Sequence, residues 1–170
     1  VFSAATAVAG ADVPRESLQR VNEKCKDIKN FLGAYGIDDL MAMDQKFDAV
    51  VAVEVIEHLY DDQLDGMLDH LRRLLKPDGI AIITTPNDED LALNQVYCPE
   101  SDKVFHRWQH VRRFDAVLLR ALMEKRGLVC DKMFTTDFAA RGFWHRLKAI
   151  LRPYAGRKNP HLVYVGHKAG

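Results

Sequence analysis

FDAVVAVEVIEHLYDD, residues 47–62, changes character halfway along. Residues 47–55 are an almost unbroken run of β-branched and small apolar side chains, and Glu54, Glu57 and His58 then arrive within five positions. A short apolar run without polar alternation reads as a central parallel strand covered by helices on both faces. Two carboxylates and an imidazole at its carboxyl end stand where open α/β sheets place their ligands.

Outward from this strand, apolar periodicity alternates between strand and helix. Residues 4–12 read as a strand ending at Asp12, with Pro14 at an early helical position ahead of ESLQRVNEKC. Residues 28–35 form a weaker second strand. After 47–55, a stripe of Leu64, Met67, Leu68, Leu71, Leu74 and Leu75 marks the clearest helix, and KPDG at 76–79 stops it. GIAIITTPN (79–87) is a further buried strand. A polar loop of some two dozen residues leads to a helix over 114–126, closed by Gly127, and strands at 128–137 and 161–168 end the chain. This order predicts a doubly wound, Rossmann-like α/β sheet. Asp12, Glu54, Glu57, His58 and Asn87 lie at the carboxyl ends of its strands.

The 170 residues make about one domain, and 48% apolar content is enough for a core. With 24 basic and 24 acidic side chains, no global field recruits nucleic acid. Cys25, Cys98 and Cys130 lack the density of a disulfide scaffold, which favours a reducing, cytoplasmic setting. No apolar run reaches the length of a membrane span, and the first ten residues lack the basic start of a signal peptide.

Five pieces in this order, VAGADVPRESLQRVNE (8–23), FDAVVAVEVIEHL (47–59), LLKPDGIAIITTPN (74–87), HVRRFDAVLLRALMEKRGL (110–128) and HLVYVGHK (161–168), resemble class I S-adenosylmethionine-dependent methyltransferases. EVIEHL is closest to the subgroup that includes ubiquinone-pathway O-methyltransferases. The resemblance implies a mostly parallel sheet with an antiparallel last strand, and S-adenosyl-L-methionine as cofactor. It gives Asp12 the cofactor's ribose hydroxyls, a task suited to an acceptor-only carboxylate; a helix N-cap is the alternative. Val13, Gly33, Ala34, Val53 and Glu54 are the other cofactor-side candidates. Two departures stand out. The family's first strand and glycine-rich loop have no counterpart after Val1, so the chain is expected to be N-terminally truncated, with unpaired edges on the strands ending at Asp12 and Glu54. Where the family often has Gly-Asp-Ala, the sequence runs Gly33-Ala34-Tyr35, with Asp38 or Asp39 as substitutes.

The i, i+3, i+4 spacing of Glu54, Glu57 and His58 puts them on one face if the chain turns helical there. Three roles then compete. The trio braces the turn; or His58 or His110 is the general base for an acceptor hydroxyl; or Glu54, Glu57 and His58 hold a divalent metal with a ligand from residues 106–110. In the loop 88–113, Cys98, His106 and His110 are spaced C-x7-H-x3-H, one ligand short of a structural zinc site. An ordered substrate-side lid with Trp108 as packing anchor is the preferred reading. Residues 138–160 form a second substrate-side segment. Six basic and no acidic residues between Arg141 and Lys158 mark either a solvated helix or a site for a phosphorylated, lipid-linked or membrane-surface partner. The expected activity is methyl transfer to a small-molecule acceptor, at oxygen. A non-catalytic methyltransferase-like domain and a metal-dependent RNA 2'-O-methyltransferase are the alternatives.

Overall fold

The computed structural model describes residues 7–11, 15–44, 46–139 and 159–169. The chain divides into two compact units, Val1–Gln45 and Lys46–Gly170.

In the first unit, β1 (Val8–Ala11), α1 (Arg15–Cys25), β2 (Phe31–Tyr35) and α2 (Ile37–Ala42) follow one another, and β1 pairs with β2 in parallel. The expected strand over 28–35 begins three residues late. Ile28 donates to the Cys25 carbonyl and Phe31 to that of Ile28, so residues 28–30 are a turn that closes α1. The helix α2 was not foreseen.

The second unit carries β3 (Phe47–Val53), a three-residue 3-10 turn (Ile56–His58), α3 (Asp61–Leu74), β4 (Leu75–Pro86), β5 (Gln95–Cys98), β6 (Lys103–His106), α4 (Ala116–Lys125), β7 (Leu128–Thr136) and β8 (His161–Lys168). Its main sheet has the order β3-β4-β8-β7, with β3 and β4 parallel and β8 antiparallel to both neighbours. The helix α3 forms because Leu64, Leu68, Leu71 and Leu74 recur on one stripe, and all four are buried. The Gln63 side chain accepts from the Tyr60 amide at its start, and Asp61 and Asp62 oppose Arg72 and Arg73 along the helix dipole. Asp115 caps α4 by accepting from the Leu118 amide, and Gly127, at φ 70°, ends it in the left-handed conformation that glycine adopts freely.

Paired residues of parallel strands share a face, and the core follows that rule. Ala52 and Ile83 are register partners, both buried with Ala81 among Leu64, Leu68, Leu71, Leu119, Met123, Leu128, Leu162 and Tyr164. On the opposite face Val51, Val53 and Ile80 stay 54%, 57% and 43% exposed. β3 is therefore not the doubly covered central strand that its composition suggests. Among the described residues it pairs with β4 alone, leaving the unpaired edge expected of the strand that ends at Glu54, and helix covers one of its faces.

β4 starts at Leu75 rather than 79, its register with β3 slipping between Phe47 and Ala49 to admit the KPDG kink. The loop 88–113 contains an unforeseen hairpin. β5 and β6 pair antiparallel, and Tyr97 donates to Asp102, a left-handed residue at φ 50° in the turn between them.

Candidate functional site

The carboxyl ends of β3 and β4, the loop after β4, the segment after β6 and the start of β8 enclose an open cleft of about 580 Å³. It is lined by Glu54, His58, Pro86, Asn87, Glu89, Trp108, His110, Pro160 and His161. Asn87 ties the two strand ends together, its amide donating to the Pro160 carbonyl and its side chain to that of Asn159.

The backbone turns sharply at three of these connections. Glu54 (φ 50°), Asp88 (φ 51°) and Gln109 (φ 60°) are left-handed without being glycine, and Glu89 and His110 directly follow two of them. Each costs about 1 kcal/mol or more relative to ordinary backbone.

Glu54 is where the helical expectation ends. Its left-handed backbone keeps Glu54 off the short 3-10 turn that carries Glu57 and His58, so the i, i+3, i+4 face does not form. Glu54 instead exchanges hydrogen bonds with Thr84: its amide donates to the hydroxyl at 3.2 Å, and the hydroxyl donates to its Oε1 at 2.7 Å. Its Oε2 lies 3.3 Å from His161 Nδ1, and Phe138 packs on the His161 ring.

Glu57 turns inward and is 1% exposed. Thr85 donates to its Oε2 at 3.0 Å, while its buried Oε1 has no hydrogen-bond partner and lies 3.9 Å from His58 Nε2. Burial, reinforced by the Glu54 charge, raises the Glu57 pKa above the ordinary carboxylate range; hydrogen bonds from the backbone and Thr85, and the neighbouring His110, oppose that rise. The Glu57 carbonyl accepts from the Val111 amide and that of Leu59 from Arg112, which binds this turn to the segment after β6.

That segment brings His110 to the cleft. Its ring meets His58 edge-on at 4.8 Å and stacks on His106 at 4.7 Å. Glu57, His58 and His110 each offer a ligand atom within 4.8 Å of the others, as do Glu89, His106 and His110. The unpartnered oxygen of Glu57 gives the first trio an atom suited to a divalent cation. Glu54 belongs to neither trio, and neither does Cys98, whose thiol pKa is lowered by hydrogen bonds from Ser101. Glu89 was missed, because no sequence spacing links it to His106 and His110; their pairing is purely tertiary. Trp108 is 59% exposed on the cleft wall rather than a packing anchor.

Of the cofactor-side candidates, Val53 ends β3 and is exposed. Gly33 and Ala34 lie in β2, where Gly33 has φ 136° and the Tyr35 ring fills the space that a Cβ would need. The Ala34 amide donates to the Asn22 side chain, which donates back to the Ala34 carbonyl. Asp12 and Val13, like the basic segment 141–158, lie outside the described residues. Among the described residues no helix is long and apolar enough to cross a membrane.

A sheet of this order, with parallel β3 and β4, an antiparallel β8 and a cleft at the carboxyl ends, defines the class I S-adenosylmethionine-dependent methyltransferase fold. Residues 3–132 match the family described as methyltransferase domain, and the chain belongs to that family. Two relatives are the mitochondrial ubiquinone biosynthesis O-methyltransferases of Bos taurus, 34% identical, and Homo sapiens, 33% identical. Each alignment runs over 110 residues, 59% of this chain and 28% of the relative. The chain thus spans less than a third of those relatives' length. Solved structures share the fold at lower identity. An S-adenosylmethionine-dependent methyltransferase from Mesorhizobium loti superposes with a TM-score of 0.66 at 12% identity, covering 96% of this chain and 81% of that one. The N-methyltransferase NodS from Bradyrhizobium japonicum, in complex with S-adenosyl-l-homocysteine, gives 0.62 at 16% identity, covering 96% and 67%.

Proposed function

We propose that the protein containing this chain transfers the methyl group of S-adenosylmethionine to a hydroxyl of a small-molecule acceptor held in the cleft. The observation that carries this reading is the imidazole of His110, on the cleft wall with one ring nitrogen bonded to Glu89 and the other without a hydrogen bond among the described residues. When bound, the cofactor supplies an electrophilic methyl on a positively charged sulfur. The lining suits that charge. Glu54 keeps lone pairs beyond those used by Thr84 and His161, and the exposed face of Trp108 is attractive to cations.

His110 takes the acceptor's proton as the oxygen attacks, and the rest of the site positions the acceptor and excludes water. An imidazole matches a phenolic or enolic hydroxyl better than an alkyl alcohol, because the phenol's pKa of about 10 is within its reach. His58, edge-on to His110 and partly exposed, orients the acceptor or shares the proton. The two mitochondrial relatives, O-methyltransferases by name, support oxygen as the methylated atom. The phosphorylated or lipid-linked character of the acceptor, and peripheral membrane contact through the basic segment 141–158, belong to this reading as well. So does a reducing compartment, in keeping with three free thiols, either cytoplasmic or the mitochondrial one named for the relatives.

The test is methyl transfer by the full-length protein from S-adenosylmethionine to catechol, with benzylamine as the nitrogen acceptor. Transfer to catechol alone is the expected result; transfer to benzylamine alone would reject an oxygen acceptor. Asp12→Ala is expected to weaken cofactor binding by roughly 1–3 kcal/mol in calorimetry, as the ribose loses a charged acceptor. The buried, unpartnered Oε1 of Glu57 favours a second reading, in which Glu57, His58 and His110 hold a divalent ion. Turnover abolished by chelator and restored by added metal would select it.

A further inference from the structure

We infer that Glu89 is a positioning residue that holds His110 in its Nδ1–H tautomer, so that the bare Nε2 is the nitrogen offered to the cleft. The inference deepens the reading of His110 as base and rests on it for its catalytic consequence.

Three hydrogen-bonding facts lead to it. Glu89 Oε2 lies 2.5 Å from His110 Nδ1. An ionised carboxylate only accepts, so in the neutral ring Nδ1 carries the hydrogen and Nε2 the lone pair. Glu89 Oε1 faces two further groups, the Asn94 side chain at 3.3 Å, which donates to it, and His106 Nε2 at 3.6 Å. His106 is turned the opposite way. Its Nδ1 accepts from the His110 amide at 3.2 Å, so in the neutral ring Nε2 must carry the proton. That nitrogen is buried with no hydrogen-bond partner, and the Glu89 carboxylate is the acceptor it faces.

The two stacked histidines therefore hold opposite tautomers about one carboxylate, and the three groups form a chain from the hairpin to the cleft. Asn94 donates to Glu89 and the His106 ring faces it, and Glu89 orients His110. The same protonation pattern removes His106 from metal chemistry. Ligation through Nε2 would move its proton to Nδ1, against the amide hydrogen of His110. The group of Glu89, His106 and His110, although compact enough to surround an ion, is on this account a proton-ordering network. An amide in place of the carboxylate keeps one acceptor oxygen for the His110 Nδ1–H but loses the charge that faces His106.

The experiment is a long-range 1H–15N correlation spectrum of the full-length protein with 15N-labelled histidine, recorded at about pH 8, where imidazoles are mostly neutral. The expected wild-type pattern is Nδ1–H at His110 and Nε2–H at His106. In E89A, His110 should revert to mostly Nε2–H while His106 keeps its pattern, because the His110 amide still occupies Nδ1. In E89Q, which preserves side-chain volume and one acceptor oxygen, His110 should keep more of its Nδ1–H form than in E89A, with His106 unchanged. A wild-type His110 in the Nε2–H form, or E89A with the His110 tautomer unchanged, overturns the inference. The spectrum decides the role of Glu89 by itself. Turnover of E89A on catechol decides the base reading: a fall in kcat of about tenfold or more with KM little changed supports it, and unchanged kcat with a reversed tautomer rejects His110 as base while leaving Glu89 as the group that orients it.

Discussion

The face of the main sheet beneath α3 and α4 and the rim of the cleft are built from the same strands under opposite rules. Beneath the helices, Leu64, Leu68, Leu71, Ala81, Ile83, Leu119 and Met123 are buried, apolar and mutually covering. At the rim, Glu54, Asp88 and Gln109 hold left-handed backbone, and Glu57 and His106 bury polar atoms without partners. One region lowers the free energy of the fold while the other carries unrelieved cost. Stability and chemistry are thus separated by only the length of a strand, and substitutions in the two regions should fail in different ways.

The largest contrast is expected between His110→Ala and Leu68→Ala. Loss of the proposed base should lower kcat on catechol by roughly 10²- to 10⁴-fold, with the melting temperature close to wild type. A drop in melting temperature that accounts for the lost turnover would make His110 a brace rather than a base. Leu68 is 0% exposed, and its truncation should cost about 2–5 kcal/mol of stability through lost transfer energy and a cavity. The turnover of the folded fraction should be unchanged. Denaturant unfolding in parallel with turnover per folded molecule separates the two outcomes.

Next in size is Glu57, which sits where the regions meet. Its pKa is raised chiefly by burial, so the folded state binds its proton more tightly than the unfolded chain does. The stability linked to this group is present below the ordinary carboxylate pKa and is lost as pH rises through the raised folded value. Glu54, His58, His110 and Thr85 are the polar groups that face it. A glutamine at this position cannot titrate, and its carbonyl can still accept from Thr85. Glu57→Gln, with chelator present, should match wild type near pH 4 and exceed it at pH 7 by on the order of 1 kcal/mol. Equal unfolding midpoints at both pH values would mean that the unpartnered oxygen carries no cost.

How much of this was legible in the sequence follows the same division. The leucine stripe of α3 and the apolar runs of β3 and β4 could be read because burial against a core imposes a period on the chain. The resemblance to methyltransferases rests on those same periodic segments. Non-periodic features were harder. The β5–β6 hairpin lies in a polar stretch whose turn relies on the left-handed Asp102 and its bond from Tyr97, with no glycine to mark it. The shared face predicted for Glu54, Glu57 and His58 assumed helix at a residue that is left-handed instead. Glu89 stands 21 residues from His110, and only the fold of the intervening hairpin joins them. The exposure of β3 was equally hidden, since an apolar run states that a strand suits burial on both faces and not whether both are covered.

The smallest effect tests whether the left-handed rim is a real cost. Gln109 is exposed and at φ 60°, its amide donates to the His106 carbonyl, and its side chain makes no hydrogen bond among the described residues. Gln109→Gly should relieve about 1 kcal/mol of backbone strain, while the greater freedom of glycine in the unfolded chain returns roughly 0.5–1 kcal/mol of it. The expected net is a stabilisation of a few tenths of a kcal/mol, against a small loss for Gln109→Ala, which keeps the strain. The sign of the difference between the two variants is the informative quantity, because both remove the same side chain from solvent. Glycine above alanine in chemical unfolding would show that the turn delivering His110 is held against a backbone preference by the surrounding hydrogen bonds. Alanine equal to or above glycine would mean that residue 109 is comfortable in its conformation, and the contrast between a relaxed core and a strained rim would then rest on Glu54 and Asp88.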